Sequence, residues 1–308
     1  MIDFTNSIKK NKAYAGANGS KIAVVYNGEQ YMLKFPPFPT INKGISYTNS
    51  CISEYIGCKI FESVGIPVQE TILGTYTSNG KTKIVVACKD FTKPGITIQD
   101  FASLKNRIID SERNGYGIDL ADILSTIEAQ TSIDSELLKT RFWDTFIVDA
   151  LIGNWDRHNG NWGFLYNANT DEVSLAPVFD CGSSLYPQAD ESIMQAVLND
   201  KNELNHRVFD MPLSAITYNG KKINYFKFIS AAEFAECNEA LKRITSRIDM
   251  EKIFEIIDST PTITQMQKEF YKTILSARKE RIIDFSLNKP TAMKSESIFC
   301  VIIEYIFE

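Results

Sequence analysis

The 308-residue chain is poor in histidine, in long apolar runs and in basic charge, and each shortage excludes a class of protein. Only two histidines are present, His158 and His206, so a histidine-based zinc site is not expected. No apolar run reaches the length of a membrane span, and the N-terminus MIDFTNSIKK lacks the apolar segment of a signal peptide. A formal net charge of −5 argues against broad nucleic-acid binding, which depends on basic surface.

Cysteines are present, but without the spacing of a disulfide framework or a metal knuckle. The six are scattered without a C-x-x-C pair, which indicates reduced thiols: Cys51, Cys58, Cys88, Cys181, Cys237 and Cys300. We expect a soluble protein made in a cytoplasm, with no direct nucleic-acid partner and no stable membrane insertion. The apolar C-terminal stretch SIFCVIIEYIF is short and broken by Glu304, and we predict a terminal strand or helix there.

Chemically capable residues are concentrated in residues 151–185, LIGNWDRHNGNWGFLYNANTDEVSLAPVFDCGSSL. Asn161 follows Asp156 by five positions, and a second acid, Asp180, precedes a Cys-Gly pair after an apolar run. Phosphoryl transfer needs one carboxylate to orient the attacking hydroxyl, and an amide oxygen plus a second carboxylate to hold Mg²⁺. Protein kinases arrange these groups as H-R-D-x-x-x-x-N and D-F-G. We therefore predict that Asp156 is catalytic and that Asn161 and Asp180 are metal ligands, although Asn and Asp also favour simple turns.

A lysine inside an apolar strand predicts the nucleotide site. Lys34 lies in YMLKF, where a charge needs a partner, and kinases use such a lysine on the α- and β-phosphates. Kinases pair it with a glutamate on the next helix; residues 48–64 have helical spacing and contain Glu54. The preceding small-residue loop could approach phosphate oxygens through its N–H groups. We predict ATP contacts from Lys34, Glu54 and six loop residues: Gly16, Ala17, Asn18, Gly19, Ser20 and Lys21.

Hydrophobic periodicity changes from near two to near 3.6 at about Pro94. Before it, β-like runs flank the turns Asn27-Gly28 and Ser78-Asn79-Gly80. After it, we predict a hairpin formed by residues 162–166 and 173–176 and helices over seven ranges: 98–113, 120–129, 135–152, 192–199, 232–248, 251–257 and 264–285. The basic residues of the last helix are interpreted as a solvated face: Lys268, Lys272, Arg278, Lys279 and Arg281.

The motifs LIGNWDRHNGNWGF and APVFDCGSSL resemble those of the HipA-type serine/threonine kinases, and especially the short stand-alone members. The resemblance covers residues 13–185. It implies an α+β, bilobal protein-kinase-like fold with a small β-rich N-lobe (1–92) containing one helix, and a larger, mainly helical C-lobe (93–308). It also implies ATP and Mg²⁺ as cofactors and a Ser/Thr hydroxyl of a protein, including the chain itself, as acceptor.

The same resemblance places further residues around the nucleotide. In a bilobal kinase a strand leads into the hinge, whose backbone reads the adenine edge, and that position falls at Ala87, Cys88, Lys89 and Asp90. Lys34 and Glu54 match the strand lysine and helix acid of the family. His158 is placed beside the nucleotide, where it could bond Asp180 or the loop backbone.

Two features depart from the larger members of the family. The larger members carry an additional N-terminal region that helps to engage a DNA-binding antitoxin. The stretch before Ala13 is too short to contain that region, so an antitoxin partner is not expected. Ala13 also occupies the place of their regulatory serine, so we do not expect silencing by phosphorylation there. A relative acting outside its own cell would need a non-standard export route.

Two other interpretations stay open at this point. D-R-H-x-x-N also resembles the catalytic loop of phosphoinositide kinases, which would make the acceptor a lipid or a small molecule. The chain could also be a catalytically inactive, nucleotide-binding module. The presence together of Lys34, Asp156, Asn161 and Asp180 argues against the inactive module, which has no chemical need for all four.

Overall fold

A computed structural model describes residues 1–14, 20–37, 47–108, 115 and 117–289. Within these ranges an N-terminal sheet with one helix is followed by a larger, mainly helical part. The predicted α+β composition, with a small β-rich part before a mainly helical one, is confirmed; the boundary at residue 92 stays a prediction. The C-terminal stretch that we predicted to be a strand or helix lies outside the described residues. No helix in the described ranges is long and apolar enough to cross a membrane.

The N-terminal sheet has six strands in the spatial order β1-β5-β6-β4-β3-β2. Asn27 and Gly28 both have positive φ, as the predicted tight hairpin turn requires. The two outermost strands are only two and three residues long and were not predicted. The strands are β1 (Ile2–Asp3), β2 (Ile8–Lys10), β3 (Lys21–Tyr26), β4 (Glu29–Lys34), β5 (Thr71–Ser78) and β6 (Lys81–Lys89).

A single helix, α1 (Ser50–Ser63), packs against β5 and β6 on one side and reaches the helical part on the other. Ile52, Ile56 and Ile60 are buried at helical spacing and join the main hydrophobic core. The helix is followed by Gly65 with φ of +75°, a conformation that glycine adopts without steric cost. Because α1 is buried on both sides, its Glu54 is carried into the interior of the protein.

The rest of the described chain forms a three-stranded sheet, a hairpin and ten helices. The three-stranded sheet contains β7 (Ile96–Asp100), β8 (Gly163–Asn167) and β9 (Glu172–Leu175), and the hairpin contains β10 (Leu213–Tyr218) and β11 (Lys221–Asn224). The helices are α2 (Phe101–Ile108), α3 (Leu120–Ala129), α4 (Ser135–Ile152), α5 (Glu191–Asn199), α6 (Lys201–Asn205), α7 (Tyr225–Ala231), α8 (Ala235–Thr245), α9 (Met250–Ser259), α10 (Gln265–Arg278) and α11 (Phe285–Asn288).

Helix α4 is the central element of this part, and its predicted range is confirmed. The Asp134 carboxylate caps its start by accepting the Leu137 N–H at 2.7 Å. Every residue from 142 to 152 is buried, so its C-terminal half is enclosed on all sides. It ends at Gly153 in the left-handed conformation. The loop that follows therefore starts from a rigid, buried point.

Three predicted helices have different bounds. The first three residues of the predicted helix 98–113 belong to β7, which pairs with β8, and α2 begins only at Phe101. The predicted helix 232–248 is shorter at both ends: Ala232, with positive φ, is the C-cap of α7, and α8 runs from Ala235 to Thr245. The predicted helix 264–285 is α10 followed by a π-helical turn, Lys279–Asp284, and α11.

The prediction of a solvated basic face on the last helix is wrong for Arg278. Its side chain is 1 % exposed. Nε donates to the carbonyl of Ala150 at 2.8 Å and Nη1 to that of Arg207 at 2.8 Å. Buried carbonyl oxygens thus replace water around this guanidinium, and α10 is tied to the end of α4.

Candidate active site

Lys34, Glu54 and Asp180 meet between the N-terminal sheet and the helical part. Lys34 Nζ lies 3.0 Å from Glu54 Oε2 and 3.0 Å from Asp180 Oδ1. Lys34 and Glu54 side chains are 14 % and 2 % exposed, whereas that of Asp180 is 40 % exposed. One cation therefore joins a buried acid on α1 to an accessible acid more than a hundred residues later in the chain.

The pKa values in this cluster are shifted towards the charged forms. Burial alone would lower the pKa of Lys34, but the carboxylates of Asp180 and Glu54 outweigh it and raise the pKa well above its ordinary range. Burial likewise opposes ionisation of Asp180, but Lys34 and then Arg157 lower its pKa. Both shifts favour the charged forms of Lys34 and Asp180.

Close packing of α1 against the loop after Asp180 depends on two glycines. A Cβ atom on Gly182 would lie 2.9 Å from Glu54 Oε2, and one on Gly57 would lie 2.9 Å from the Cβ of Cys181. Both distances are shorter than side chains tolerate. The glycine of the D-C-G motif thus leaves room for the glutamate that pairs with Lys34.

Asp156 lies in the loop that leaves α4. Asn154 fixes the backbone that leads to Asp156: its Oδ1 accepts the Asp156 N–H at 3.1 Å, and its Nδ2 donates to Asp149 at 2.9 Å. The carboxylate of Asp156 is half-buried, and burial followed by the nearby Asp180 raises its pKa, although His158 and Arg157 oppose the shift. A carboxylate of raised pKa in a rigid loop is suited to accept a proton from a hydroxyl.

Arg157 fixes the shape of the loop that carries Asp156. Its Nε donates to Asp149 Oδ2 at 3.0 Å, and both side chains are almost fully buried. Nη1 donates to the backbone carbonyls of Asn161 (3.2 Å), Phe179 and Asp180 (3.3 Å). A single guanidinium thus holds the Asp156–Asn161 loop and the Asp180 loop against one another.

Asn161 and Asp180 offer a donor set that suits Mg²⁺. The Asn161 Nδ2 donates to the Asp156 carbonyl at 2.7 Å, which turns its Oδ1 away from that carbonyl. Asp180 has φ of +59°, a conformation uncommon outside glycine that directs its carboxylate towards Lys34. Amide and carboxylate oxygens are ligands that a hard cation prefers. The residues present therefore fit the metal that the sequence predicted, and their role as ligands stays a prediction.

The predicted hinge residues divide into two pairs. Ala87 and Cys88 are fully buried in β6, which is paired with β4 on one side and β5 on the other. Strand β6 ends at Lys89, whose N–H donates to the Glu70 carbonyl at 2.8 Å and whose carbonyl accepts from Gln69 Nε2 at 2.9 Å; the Asp90 N–H donates to the Gln30 carbonyl at 2.8 Å. The role of these four residues as a hinge stays a prediction.

The Asp90 side chain holds the segment that precedes the phosphate loop. Its Oδ2 accepts from Lys12 Nζ at 2.6 Å, Tyr14 OH at 2.7 Å and Gln30 Nε2 at 2.7 Å. Burial opposes its charge, but the hydrogen bonds from Lys12, Thr92 and Tyr14 lower its pKa to about 2. This anchoring contact was not anticipated, because it joins residues far apart in the sequence.

The structure describes only some of the remaining residues that were predicted to contact the nucleotide. Gly16, Ala17, Asn18 and Gly19 lie outside the described residues. Ser20 accepts the Phe35 N–H through its carbonyl, and Lys21 lies opposite Lys34 in the β3–β4 pairing, close to the cluster. His158 Nδ1 accepts the Gly160 N–H at 3.0 Å, so this nitrogen is engaged inside the loop. Their contacts with ATP stay predictions.

Sequence reasoning gave no positioning role to Asn154 and Asp149. The signal that could have found them is a buried acid on α4 followed by an arginine eight positions later, since a buried carboxylate needs such a partner. Tyr225 completes this support: its hydroxyl donates to the Asn154 carbonyl at 2.6 Å. Its position on α7 could not be deduced from spacing.

Removing the Arg157 guanidinium should strongly destabilise the protein. Arg157→Met leaves Asp149 charged and buried, which we expect to cost about 3–5 kcal/mol of unfolding free energy. Urea unfolding followed by tryptophan fluorescence measures it. Arg247→Met, at an exposed position on the surface, should change stability by less than about 0.5 kcal/mol.

The double variant Asp149→Asn/Arg157→Met removes both charges and should recover part of the lost stability. An Arg157→Met protein as stable as the unmodified chain would contradict the role of Arg157 in holding the two loops together.

The fold and this constellation define an enzyme of the protein-kinase class. The sequence matches the HipA-like C-terminal domain over residues 12–264, and the chain belongs to that family. It is 51 % identical over 285 residues to the serine/threonine-protein kinase CtkA of Helicobacter pylori, covering 92 % of this chain and 86 % of that protein. The predicted HipA-like serine/threonine protein kinase is thereby confirmed.

Solved structures support this family relationship. The crystal structure of the Helicobacter pylori proinflammatory kinase CtkA is 50 % identical and superposes with a TM-score of 0.88, covering 93 % of this chain and 96 % of that one. A Shewanella oneidensis structure of the HipA–HipB toxin–antitoxin system with operator DNA matches at 16 % identity and a TM-score of 0.54, covering 92 % and 69 %. The second likeness concerns the fold alone.

Proposed function

We propose that the chain transfers the γ-phosphate of ATP, with Mg²⁺, to Ser/Thr hydroxyls of proteins, its own included. The observation that carries the proposal is the ion-paired cluster of Lys34, Glu54 and Asp180, at 3.0 Å each. Arg157 holds the Asp180 loop of this cluster against the loop that carries Asp156. A binding module without catalysis would not need a half-buried base of raised pKa beside this cluster.

Each residue has a distinct task in this proposal. Lys34 binds the α- and β-phosphates, and Glu54 keeps its ammonium in position. Asp156 accepts a hydrogen bond from the acceptor hydroxyl and takes its proton as that oxygen bonds to the γ-phosphorus, while the bond from the γ-phosphorus to the bridging oxygen breaks and ADP leaves. Asn161 and Asp180 would hold Mg²⁺, which would supply positive charge beside the phosphate oxygens. Arg157 acts only through the loops that it fixes.

The nucleotide would lie along the sheet, with its adenine at the hinge and its phosphates under the small-residue loop. Adenine contacts are proposed from the predicted hinge, residues 87–90, at the end of β6. The Asp90 side chain is already engaged by Lys12 and Tyr14, so its role is to place the segment that enters the loop. Phosphate contacts are proposed for residues 16–21.

The acceptor class is tested by offering a protein and a lipid together. Purified chain is incubated with γ-labelled ATP and Mg²⁺, a mixed protein substrate, and vesicles containing phosphatidylinositol. We expect label in protein only, with phosphoserine or phosphothreonine after acid hydrolysis, and loss of transfer with excess chelator. Label in the lipid fraction alone would overturn the protein-kinase proposal in favour of a lipid kinase.

Glu54 should be needed to position Lys34. Glu54→Gln removes the buried negative charge 3.0 Å from Lys34 Nζ. We expect kcat/KM to fall by about tenfold to a hundredfold, the equivalent of one charge-assisted hydrogen bond. The matched control is Glu62→Gln on the same helix, since Glu62 is 62 % exposed and pairs only with Lys59 among the described residues. Equal kinetics of the two variants would contradict the role of Glu54.

A further inference from the structure

The β10–β11 hairpin is connected to the start of the loop that carries Asp156. Tyr225, the first residue of α7, directly follows β11. Its hydroxyl donates to the Asn154 carbonyl at 2.6 Å, and Asn154 Oδ1 accepts the Asp156 N–H at 3.1 Å. The end of β11 is therefore joined through Asn154 to the backbone of the proposed base.

A second connection joins the hairpin to the same loop through the segment before α3. Asn159 Nδ2, in the loop, donates to the Gly117 carbonyl at 2.7 Å. The adjacent Ile118 carbonyl accepts the N–H of Thr217, in β10, at 2.8 Å. Thr217 is paired with Lys222 across the hairpin. The two connections together hold Lys222 beside the loop of the proposed base.

Lys222 is an exposed cation whose charge acts on Asp156. Burial raises the pKa of Asp156, and three cations oppose the shift: His158, Arg157 and Lys222. Of these three, only Lys222 comes from another element of the fold. It forms no ion pair within 4.0 Å with any residue that the structure describes, Asp156 included. The Asp156 carboxylate therefore stays free for a hydroxyl, and the Lys222 ammonium stays free for a second group of the same substrate.

The proposed phosphate side of the site has cations of its own. Burial opposes ionisation of Asp180, and the charges that lower its pKa are those of Lys34, Arg157 and Lys21. Lys34 and Lys21 lie opposite each other on β4 and β3, in the N-terminal sheet. Lys222 lies instead on β11, in the mainly helical part of the chain. Its position beside the proposed base assigns it to the acceptor rather than to the nucleotide.

We propose that Lys222 recognises an acidic side chain, Asp or Glu, within about two residues of the acceptor Ser or Thr; this inference rests on the proposed kinase function. An exposed charge acts over roughly 8 Å at physiological ionic strength, and an extended chain advances about 3.3 Å per residue. A carboxylate at that spacing is within reach of Lys222 when the acceptor hydroxyl lies on Asp156. A basic side chain there would be repelled.

Three serine peptides test the inference on the full chain. They are identical except at the positions two residues before and after the serine, which hold Glu, Gln or Lys. Initial rates with γ-labelled ATP and Mg²⁺ give kcat and KM for each peptide. We expect kcat/KM for the Glu peptide to exceed that for the Gln peptide by about fivefold, mainly through KM, as for an exposed ion pair. Salt at about 1 M, where the Debye length is about 3 Å, should remove most of this preference.

Charge removal and charge reversal at Lys222 separate recognition from a general effect on activity. Lys222→Met should make the Glu and Gln peptides equal acceptors, and Lys222→Glu should reverse the order in favour of the Lys peptide. The matched control is Lys221→Met. Lys221 is also exposed, but as the neighbouring residue of the strand it points to the opposite face of β11. The Lys221→Met protein should keep the preference of the unmodified chain.

An unmodified chain that phosphorylates the Glu and Gln peptides equally would overturn this inference and leave the proposed function intact. A Lys222→Met protein that keeps the preference would also overturn it. So would an equal loss of kcat with all three peptides, since that result would place Lys222 at the transferred phosphate. A chain that labels no peptide and no protein would overturn the proposed function, and this inference with it.

Discussion

Replacing Asp156 by Asn is expected to abolish most phosphoryl transfer while leaving nucleotide binding intact. The amide has the size of the carboxylate but cannot take a proton from the acceptor hydroxyl, so we expect kcat to fall about 10²–10⁴-fold. Binding of ATP should change little, because the proposed mechanism places Asp156 at the acceptor hydroxyl and not at the phosphates. Initial rates of transfer, together with an ATP titration, separate the two effects.

The matched control for Asp156→Asn is Asp210→Asn, the same change on a side chain that is 60 % exposed and contacts His206. It should retain full activity. A large rise in the ATP dissociation constant of the Asp156→Asn protein would contradict the assignment, since it would place Asp156 among the phosphate ligands. Unchanged kcat would exclude it as the base.

Replacing Asp180 by Asn is expected to lower transfer roughly 10²–10³-fold at a fixed Mg²⁺ concentration. Asparagine tolerates the left-handed backbone that Asp180 adopts at φ of +59°, so the loop should keep its shape. The loss then reflects the missing charge rather than backbone strain. We expect a higher Mg²⁺ concentration for half-maximal rate, because a neutral oxygen binds the cation more weakly.

Lys34→Met separates the metal role of Asp180 from its ion pair with Lys34. Like Asp180→Asn, the Lys34→Met change breaks the 3.0 Å ion pair between Lys34 and Asp180. We expect it to lose activity without a shift in Mg²⁺ dependence, since methionine removes a phosphate contact and leaves both metal ligands. An Asp180→Asn protein whose Mg²⁺ dependence equals that of the unmodified chain would contradict the metal assignment.

Local patterns predicted the elements on which the site is built. The range 135–152 predicted for α4 from hydrophobic periodicity is confirmed, and the Asp134 cap and terminal Gly153 that the structure shows lie next to it in the sequence. The spacing of Asp156, Asn161 and Asp180 is likewise a short-range property. Lys34 could be recognised because a charge inside an apolar strand requires a partner, and that partner proved to be a pair of acids.

Features that depend on distant neighbours could not be predicted in the same way. Strand β7 was taken for part of a helix because its partner, β8, follows only after α2, α3 and α4. Arg278 resembles a surface residue in the sequence, because the Ala150 and Arg207 carbonyls that bind it lie far away along the chain. The hinge prediction concerned the backbone of Asp90, whereas its side chain forms an anchor for Lys12 and Tyr14.

The most direct test of the proposed mechanism is a single-turnover transfer experiment. The unmodified chain, Asp156→Asn and Asp180→Asn are each loaded with γ-labelled ATP and Mg²⁺, mixed with a protein acceptor, and assayed for bound nucleotide and for label in protein. We expect transfer by the unmodified chain only, with nucleotide still bound to Asp156→Asn. An unmodified chain that binds ATP but labels no protein, itself included, would contradict the proposed function.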